Sequence, residues 1–357
     1  MKKLVFLLLI SIVIVSCKKD SPSNNPQNKI VSKKYAVRFS VAQFTETVGP
    51  ITVSRRHTLA SSKNNAVLPD TTTLGKQLAE YYYLVYDNAG NEIRRIYRSP
   101  GDYQTETDFH GGSQYISGIR YINTTDPYNV LTDSLAAGTY TIVFAGDNGG
   151  SGIGINNDDS DFDAVEHFYL LPQAVIYVGQ GLDPVPVNVP LFFSKTTLVV
   201  GNQNTTSNIT LNRVVGQVEV DLQDAMPANV AYIVIARQNE DGGFMINTET
   251  STFPVENEDD QGNLIDNGEN VITGSEIGKT DLLFYRFIWN TSTPVTIILQ
   301  ARDKNSQVLF TKTIPNVMFY QNRRTILTGK LFNNTSSNQF TLTANQTWEP
   351  DVPTIQF

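Results

Sequence analysis

From Tyr35 onward the chain alternates. Tyr35, Val37, Phe39 and Val41 fall on one parity and Ala36, Arg38, Ser40 and Ala42 on the other, a period of two that predicts a half-buried strand over 35–44. Residues 80–86 and 92–97 flank Asp87-Asn88-Ala89-Gly90-Asn91, where Asn and Gly accept the left-handed conformations that close a hairpin. In its first arm Tyr81, Tyr83 and Val85 share one face and Tyr82, Leu84 and Tyr86 the other, so three consecutive tyrosines read as packing on both sides of a sheet. Within 131–147, Ala137-Gly138 predicts a turn and the apolar run 140–145 a central strand of a sandwich interior.

Further strands are expected over 166–178 and 190–200, joined by the proline-punctuated connector 183–190, DPVPVNVP. The second half repeats the pattern over 207–222, 231–237, 281–289, 294–301, 308–313 after a turn at 304–306, and 324–332 with 339–344. Seven or so short strands with turns every eight to twelve residues suit a β-sandwich. No long stretch places apolar residues at helical spacing, so the expected class is all-β. A chain of this length exceeds a single core, and two domains are expected, 35–204 and 205–357, with the boundary near Thr205.

The first twenty residues, MKKLVFLLLISIVIVSCKKD, have another grammar. Lys2 and Lys3 precede an apolar run from Leu4 to Val15, the pattern of a secretory signal rather than of a stop-transfer helix. Ile14-Val15-Ser16-Cys17 looks like a bacterial lipoprotein lipobox. Cys17 is the only cysteine in the chain; it cannot staple its own chain and reads as the lipid-attachment residue. Residues 1–16 are thus expected to be a cleaved lipoprotein signal peptide, and 17–34, polar and punctuated by Pro22 and Pro26, a lipidated flexible tether. Acyl chains at about 0.8 kcal/mol per buried methylene would supply the membrane partner.

Charge narrows the partners. The formal net charge of −8 falls to about −10 once Lys2 and Lys3 leave with the signal, and the remaining basic residues are scattered, so no nucleic-acid partner is expected. The loop 148–163 carries Asp158, Asp159, Asp161 and Asp163, and 256–269 is also acidic. Both lack the glycine and glutamate register of an EF-hand and read as solvated turns, with calcium as the alternative. His57, His110 and His167 show no metal-ligand spacing, and no HExxH, GxSxG or paired-cysteine motif occurs. The expectation is no enzyme, no cofactor and no metal site.

Three passages resemble a known family. Residues 207–229, SNITLNRVVGQVEVDLQDAMPAN, run from a strand through Arg-Val-Val-Gly into a second strand and a Pro-Ala-Asn loop. Residues 314–332, IPNVMFYQNRRTILTGKLF, place an asparagine, a basic pair and a threonine before Thr-Gly and a strand. With 135–150 they resemble the fimbrillin superfamily of surface lipoproteins, in particular its anchor and accessory fimbrial subunits. The resemblance implies two tandem transthyretin-like β-sandwiches, an outer-membrane location and fimbrial partners. It also implies a non-catalytic role in fimbria assembly, with subunits joined by strand addition, in which backbone hydrogen bonds give affinity and alternate side chains give register.

Two departures favour an anchor, base or accessory subunit over the shaft protein. The basic pair Arg55-Arg56, a place for protease trimming, follows the first strand within a polar stretch. The tail 348–357, WEPDVPTIQF, is interrupted by Pro350 and Pro353 and makes a poor donor strand. The alternative is a glycan-binding lipoprotein of a polysaccharide-uptake system, with Trp289, Trp348 and tyrosines stacking on sugar rings, although Trp289 at the end of LLFYRFIW reads as core.

Overall fold

The computed structural model describes residues 32–42, 78–98, 103–109, 116–123, 126–147, 153–155, 170–178, 190–254, 269–332 and 341–347. The first half contributes β1 (Lys34–Ala42), β2 (Glu80–Tyr86), β3 (Glu92–Arg98), β4 (Tyr103–Phe109), β5 (Ile116–Asn123), β6 (Val130–Ala136), β7 (Gly138–Asp147), β8 (Ile153–Ile155), β9 (Val175–Val178) and β10 (Leu191–Val200). The second contributes β11 (Thr205–Thr210), β12 (Asn212–Arg213), β13 (Gly216–Leu222), β14 (Tyr232–Gln238), β15 (Asp241–Met245), β16 (Thr250–Pro254), β17 (Asn270–Val271), β18 (Leu282–Ile288), β19 (Val295–Arg302), β20 (Val308–Val317), β21 (Arg323–Gly329) and β22 (Thr341–Thr347). The protein is all-β. Among the described residues the only helical element is one 3-10 turn, Leu171–Gln173.

A three-stranded sheet, β11-β1-β6, faces a seven-stranded one, β12-β10-β7-β2-β3-β4-β5. Between them lies a core in which Val37, Phe39 and Val41 of β1 meet Tyr81, Tyr83 and Val85 of β2 and Ile142 and Phe144 of β7. The Phe39 ring packs tilted on Tyr83 at 5.2 Å and edge-on to Phe144 at 5.4 Å, geometries that aromatic quadrupoles favour. The opposite face of the long sheet is also buried. Leu84, Tyr86, Val143, Ala145 and Phe193 form a second core with Ile176, Phe244, Phe287 and Trp289.

The tyrosine run thus behaves as its parity predicts, with Tyr81 and Tyr83 in the first core and Tyr86 in the second. Strand β7 is central, lying between β10 and β2, and is buried at every position from Ile142 to Asp147. The hairpin closes as expected. Asp87 Oδ1 accepts the amides of Ala89 and Asn91, each at 2.9 Å, and Gly90 adopts φ +85.

The turn at Ala137-Gly138 is a corner between sheets rather than a hairpin, for β6 pairs with β1 while β7 pairs with β2 and β10. Tyr140 folds back over it and its hydroxyl donates to Ala136 O at 3.0 Å. A Cβ on Gly138 would lie 3.2 Å from that hydroxyl, so the corner suits glycine.

The second half builds another sandwich. Sheets β18-β13-β21-β22 and β17-β14-β19-β20 enclose Val218, Val220, Ile233, Ile235, Phe284, Ile297, Leu299 and Leu327. A four-stranded sheet, β16-β15-β9-β8, joins strands from both halves, and β11, beyond Thr205, pairs parallel with β1. The described residues from Lys34 onward form one compact unit.

Part of the strand expected over 166–178 is replaced. Pro172 lacks the amide a ladder needs, and Leu171–Gln173 turns, with Leu171 N donating to Gly90 O at 2.8 Å, before β9 begins. Strands β4 and β5 were not expected; the five central residues of β4, YQTETDF, are all polar. We expect Phe39→Ala to cost about 3–5 kcal/mol by removing a fully buried ring, measured as the shift in urea-unfolding midpoint against wild type.

Candidate functional site

The two segments carrying the strongest resemblance, 207–229 and 314–332, meet in space. Strands β13 and β21 run parallel from Gln217↔Arg324 to Leu222↔Gly329. Above them the Arg213-Val214-Val215-Gly216 passage carries the chain from β12, paired to β10 of the first half, into the second sandwich. Val214 and Val215 are buried in the shared core. Arg213 Nη1 donates to Asn322 Oδ1 at 3.0 Å, and Asn322 N to Val215 O at 3.0 Å. Asn322 holds φ +53, a left-handed turn conformation that asparagine accepts more readily than most residues.

Gly216 permits this approach, because a Cβ there would stand 3.0 Å from Tyr320 O. Lower down, Arg324 Nη1 pairs with Glu219 Oε2 at 3.0 Å. The buried Asp224 accepts the amides of Leu331 at 3.2 Å and Phe332 at 2.6 Å. The threonine of the second segment, Thr325, is buried. These residues lock two distant stretches together; they do not converge on a reaction centre.

A surface for partners is a matter of strand ends. Among the described residues the strands at sheet ends are β11 and β6, β12 and β5, β18 and β22, β17 and β20, and β16 and β8. The longest is β20, ten residues, of which five are exposed and one is buried. Phe310 and Ile314 pack against the core inside the second sandwich, while Val308, Thr311 and Thr313 face solvent. At its far end Pro315, Asn316 at φ +59 and a register shift between Val295 and Ile297 interrupt regular pairing, devices that blunt an edge. A second shift between Ala301 and Arg302, opposite Phe310 and Val308, interrupts the near end, so the regular ladder is 310–314. By contrast β1 is enclosed between β11 and β6, so its slot in the first sandwich is filled by the chain itself.

Trp289 is core, as its position in the strand implied: it is buried and stacks on Phe244 with centroids 6.2 Å apart and planes 19° from parallel. Tyr82 is half-buried and pairs with Tyr97 at 5.1 Å. Tyr81 donates to Tyr128 O at 3.0 Å, and burial pushes its phenol up to about 12. Burial and the neighbouring Asp133, which accepts the Tyr83 hydroxyl at 3.2 Å, hold Tyr83 well above the ordinary range. These phenols stay neutral at physiological pH. Cys17, Arg55-Arg56, His57, His110, His167, Trp348 and the acidic stretches 156–163 and 256–268 lie outside the described residues.

Among the described residues no group of three or more His, Cys, Asp or Glu is placed to hold a metal ion, and no helix is long and apolar enough to cross a membrane. Sequence reasoning missed Glu240, a fully buried acid in the turn between β14 and β15. A charged residue beside Asn239 and Asp241 reads as a solvated turn, and no local signal marks its burial.

No protein-family model matches the chain, and no curated protein does. Solved structures do. A candidate polysaccharide-binding protein from Bacteroides thetaiotaomicron aligns at 10% identity over 91% of this chain and 98% of its own, with a TM-score of 0.46. The fimbrial anchor protein Mfa2 from Porphyromonas gingivalis aligns at 11% identity over 88% and 97%, TM-score 0.41. A fimbrial assembly protein from Parabacteroides distasonis aligns at 12% over 88% and 96%, TM-score 0.39. Superpositions this loose decide neither fold nor function, which rest on the chain's own strands and residues.

Removing the Asp224 carboxylate leaves two backbone donors unpaired at a buried site. Asp224→Ala should cost about 1–3 kcal/mol for each donor that water does not reach, read from chemical denaturation. Amide exchange should accelerate first at Leu331 and Phe332.

Proposed function

We propose that the protein is a non-catalytic surface lipoprotein, held at the outer membrane by lipid on Cys17, that serves as a fimbrial anchor, base or accessory subunit. The observation that carries this reading is the pairing of β13 with β21. The resemblance to fimbrillin-type subunits rests on two segments about a hundred residues apart. They form one interlocked unit through Arg213, Gly216, Asp224 and Asn322, so the likeness falls on residues that cooperate physically.

The two-sandwich division belongs to the same proposal, with β11 counted in the first sandwich because it pairs with β1. Partners would be other fimbrial subunits. Contact through 310–314 of β20 would be β-augmentation, the edge backbone supplying hydrogen bonds and alternate side chains the register. The signal peptide enters on Lys2, Lys3 and the apolar run Leu4 to Val15, the lipid on the lipobox-like Ile14-Val15-Ser16-Cys17, and the tether on the polar composition of 17–34.

Deletion of the gene should change the length, retention or composition of surface fimbriae, and Val308→Cys, on an exposed edge position, should crosslink to a fimbrial subunit on intact cells. Unaltered filaments together with no crosslinked subunit would reject the role. Cys17→Ala should leave the protein unlipidated and out of the membrane fraction, and normal membrane partition of that variant would reject lipid attachment.

A further inference from the structure

The turn between β14 and β15 packs against the end of β18 through three polar ties. Arg237 Nη1 donates to Phe287 O at 2.7 Å, Asn290 Nδ2 to Asn239 O at 2.9 Å, and Trp289 N to Glu240 Oε1 at 2.5 Å. Asn290 is fixed in turn by Thr293, whose hydroxyl accepts Nδ2 at 2.7 Å and whose amide donates to Oδ1 at 3.0 Å. Asn239 takes φ +63, which turns the chain so that Glu240 points inward.

This corner lies under the core that both halves share. Trp289 stacks on Phe244 of β15, and Phe244 meets Phe193 of β10 edge-on at 5.1 Å. Lys195 of β10 makes a second link to the same region, donating to Ile246 O at 3.2 Å and Asn247 O at 2.7 Å and pairing with Glu249 at 2.9 Å. Movement at the Glu240 corner therefore reaches the contact between the first and second halves.

Glu240 has no exposed surface, and its Oε2 has no hydrogen-bond partner among the described residues. A carboxylate there would hold an incompletely solvated charge, whereas the neutral acid forgoes only the hydration of a hydroxyl, a much smaller cost. We propose that Glu240 is a proton-held latch between the two halves: neutral, it is retained in the shared core, and its ionisation releases the corner that carries Trp289.

The charges acting on it oppose one another. Burial raises its pKa to about 8, Arg237 of β14 and the amides of Trp289 and Asn290 pull it down, and Asp241 of β15 pushes it up. The folded value lies above the ordinary glutamate value of 4.5, so between about 4.5 and about 8 the folded chain keeps a proton that an opened chain has lost. Stability is then greatest on the acid side, falls as pH rises through that window and levels off above it. The opening constant should climb by about tenfold per pH unit across the window.

The test uses the full chain carrying Trp348→Phe, which leaves Trp289 as the sole tryptophan of the two in the sequence. Amide exchange at Trp289 and Asn290, corrected for intrinsic rate, and Trp289 emission in urea are followed from about pH 5 to about pH 9, with and without Glu240→Gln. The parent should open more readily and shift its emission to the red as pH rises, while the Gln variant stays flat. Infrared spectra of the parent near neutral pH should contain a protonated carboxylic-acid band that the Gln variant lacks. Parallel pH profiles for the two chains, or absence of the band, would overturn the proposal. If the Gln variant fails to fold, proton uptake on folding of the parent, measured by calorimetry in buffers of different ionisation heat, decides it: about one proton bound near pH 6 supports the latch and none refutes it.

Discussion

A sheet strand can hide both of its faces only if something packs on each side. The long sheet of the first half carries Ile142 and Phe144 on one face of β7 and Val143 and Ala145 on the other, so it needs two covers. One is the small sheet around β1. The other includes Phe244, Phe287 and Trp289 from the second half. Burying an aromatic or branched side chain stabilises by roughly 1.5–3 kcal/mol, and several such residues lie at this junction. The second half is thereby a structural requirement of the first, and the bridging sheet β16-β15-β9-β8 continues that dependence through backbone pairing.

This accounts for what the sequence did and did not disclose. Strands with a signal of their own were legible: β1 and β13 by alternation, the β2–β3 hairpin by its Asp-Asn-Ala-Gly-Asn turn, and β7 by its continuous apolar run. Strands whose stability comes from partners were not. β4 reads YQTETDF, and β15 reads DGGFM with two glycines that give no strand signal; each is held by its neighbours. Pairing was equally hidden. Nothing local shows that β6 and β7, separated by one residue, belong to different sheets, because that choice depends on β1 and β10, far away in the chain.

The candidate site was legible only in part, for a related reason. The motif segments could be picked out by their order of Arg, Gly, Asn and Asp, but their roles could not. Arg213, Asp224 and Asn322 are the types that decorate binding surfaces, yet here they satisfy backbone and side-chain groups across the β13–β21 seam. A polar residue buried with partners looks the same in sequence as one that greets a ligand. Glu240 is the extreme case, since only the three-dimensional packing of β18 against the β14–β15 turn removes it from water.

The edge strand β20 joins the structural and functional readings. An open ladder is a hazard because any extended chain can pair with it, and this protein blunts one end with Pro315 and left-handed Asn316 while leaving Val308 and the threonines 311 and 313 accessible. With a second register shift opposite Ala301 and Arg302, the irregularities bound the strand at both ends and limit the register in which a partner strand can dock, since a regular ladder can run only between Phe310 and Ile314. Specificity from a backbone surface, which carries little chemical identity of its own, then comes from where pairing is made to stop.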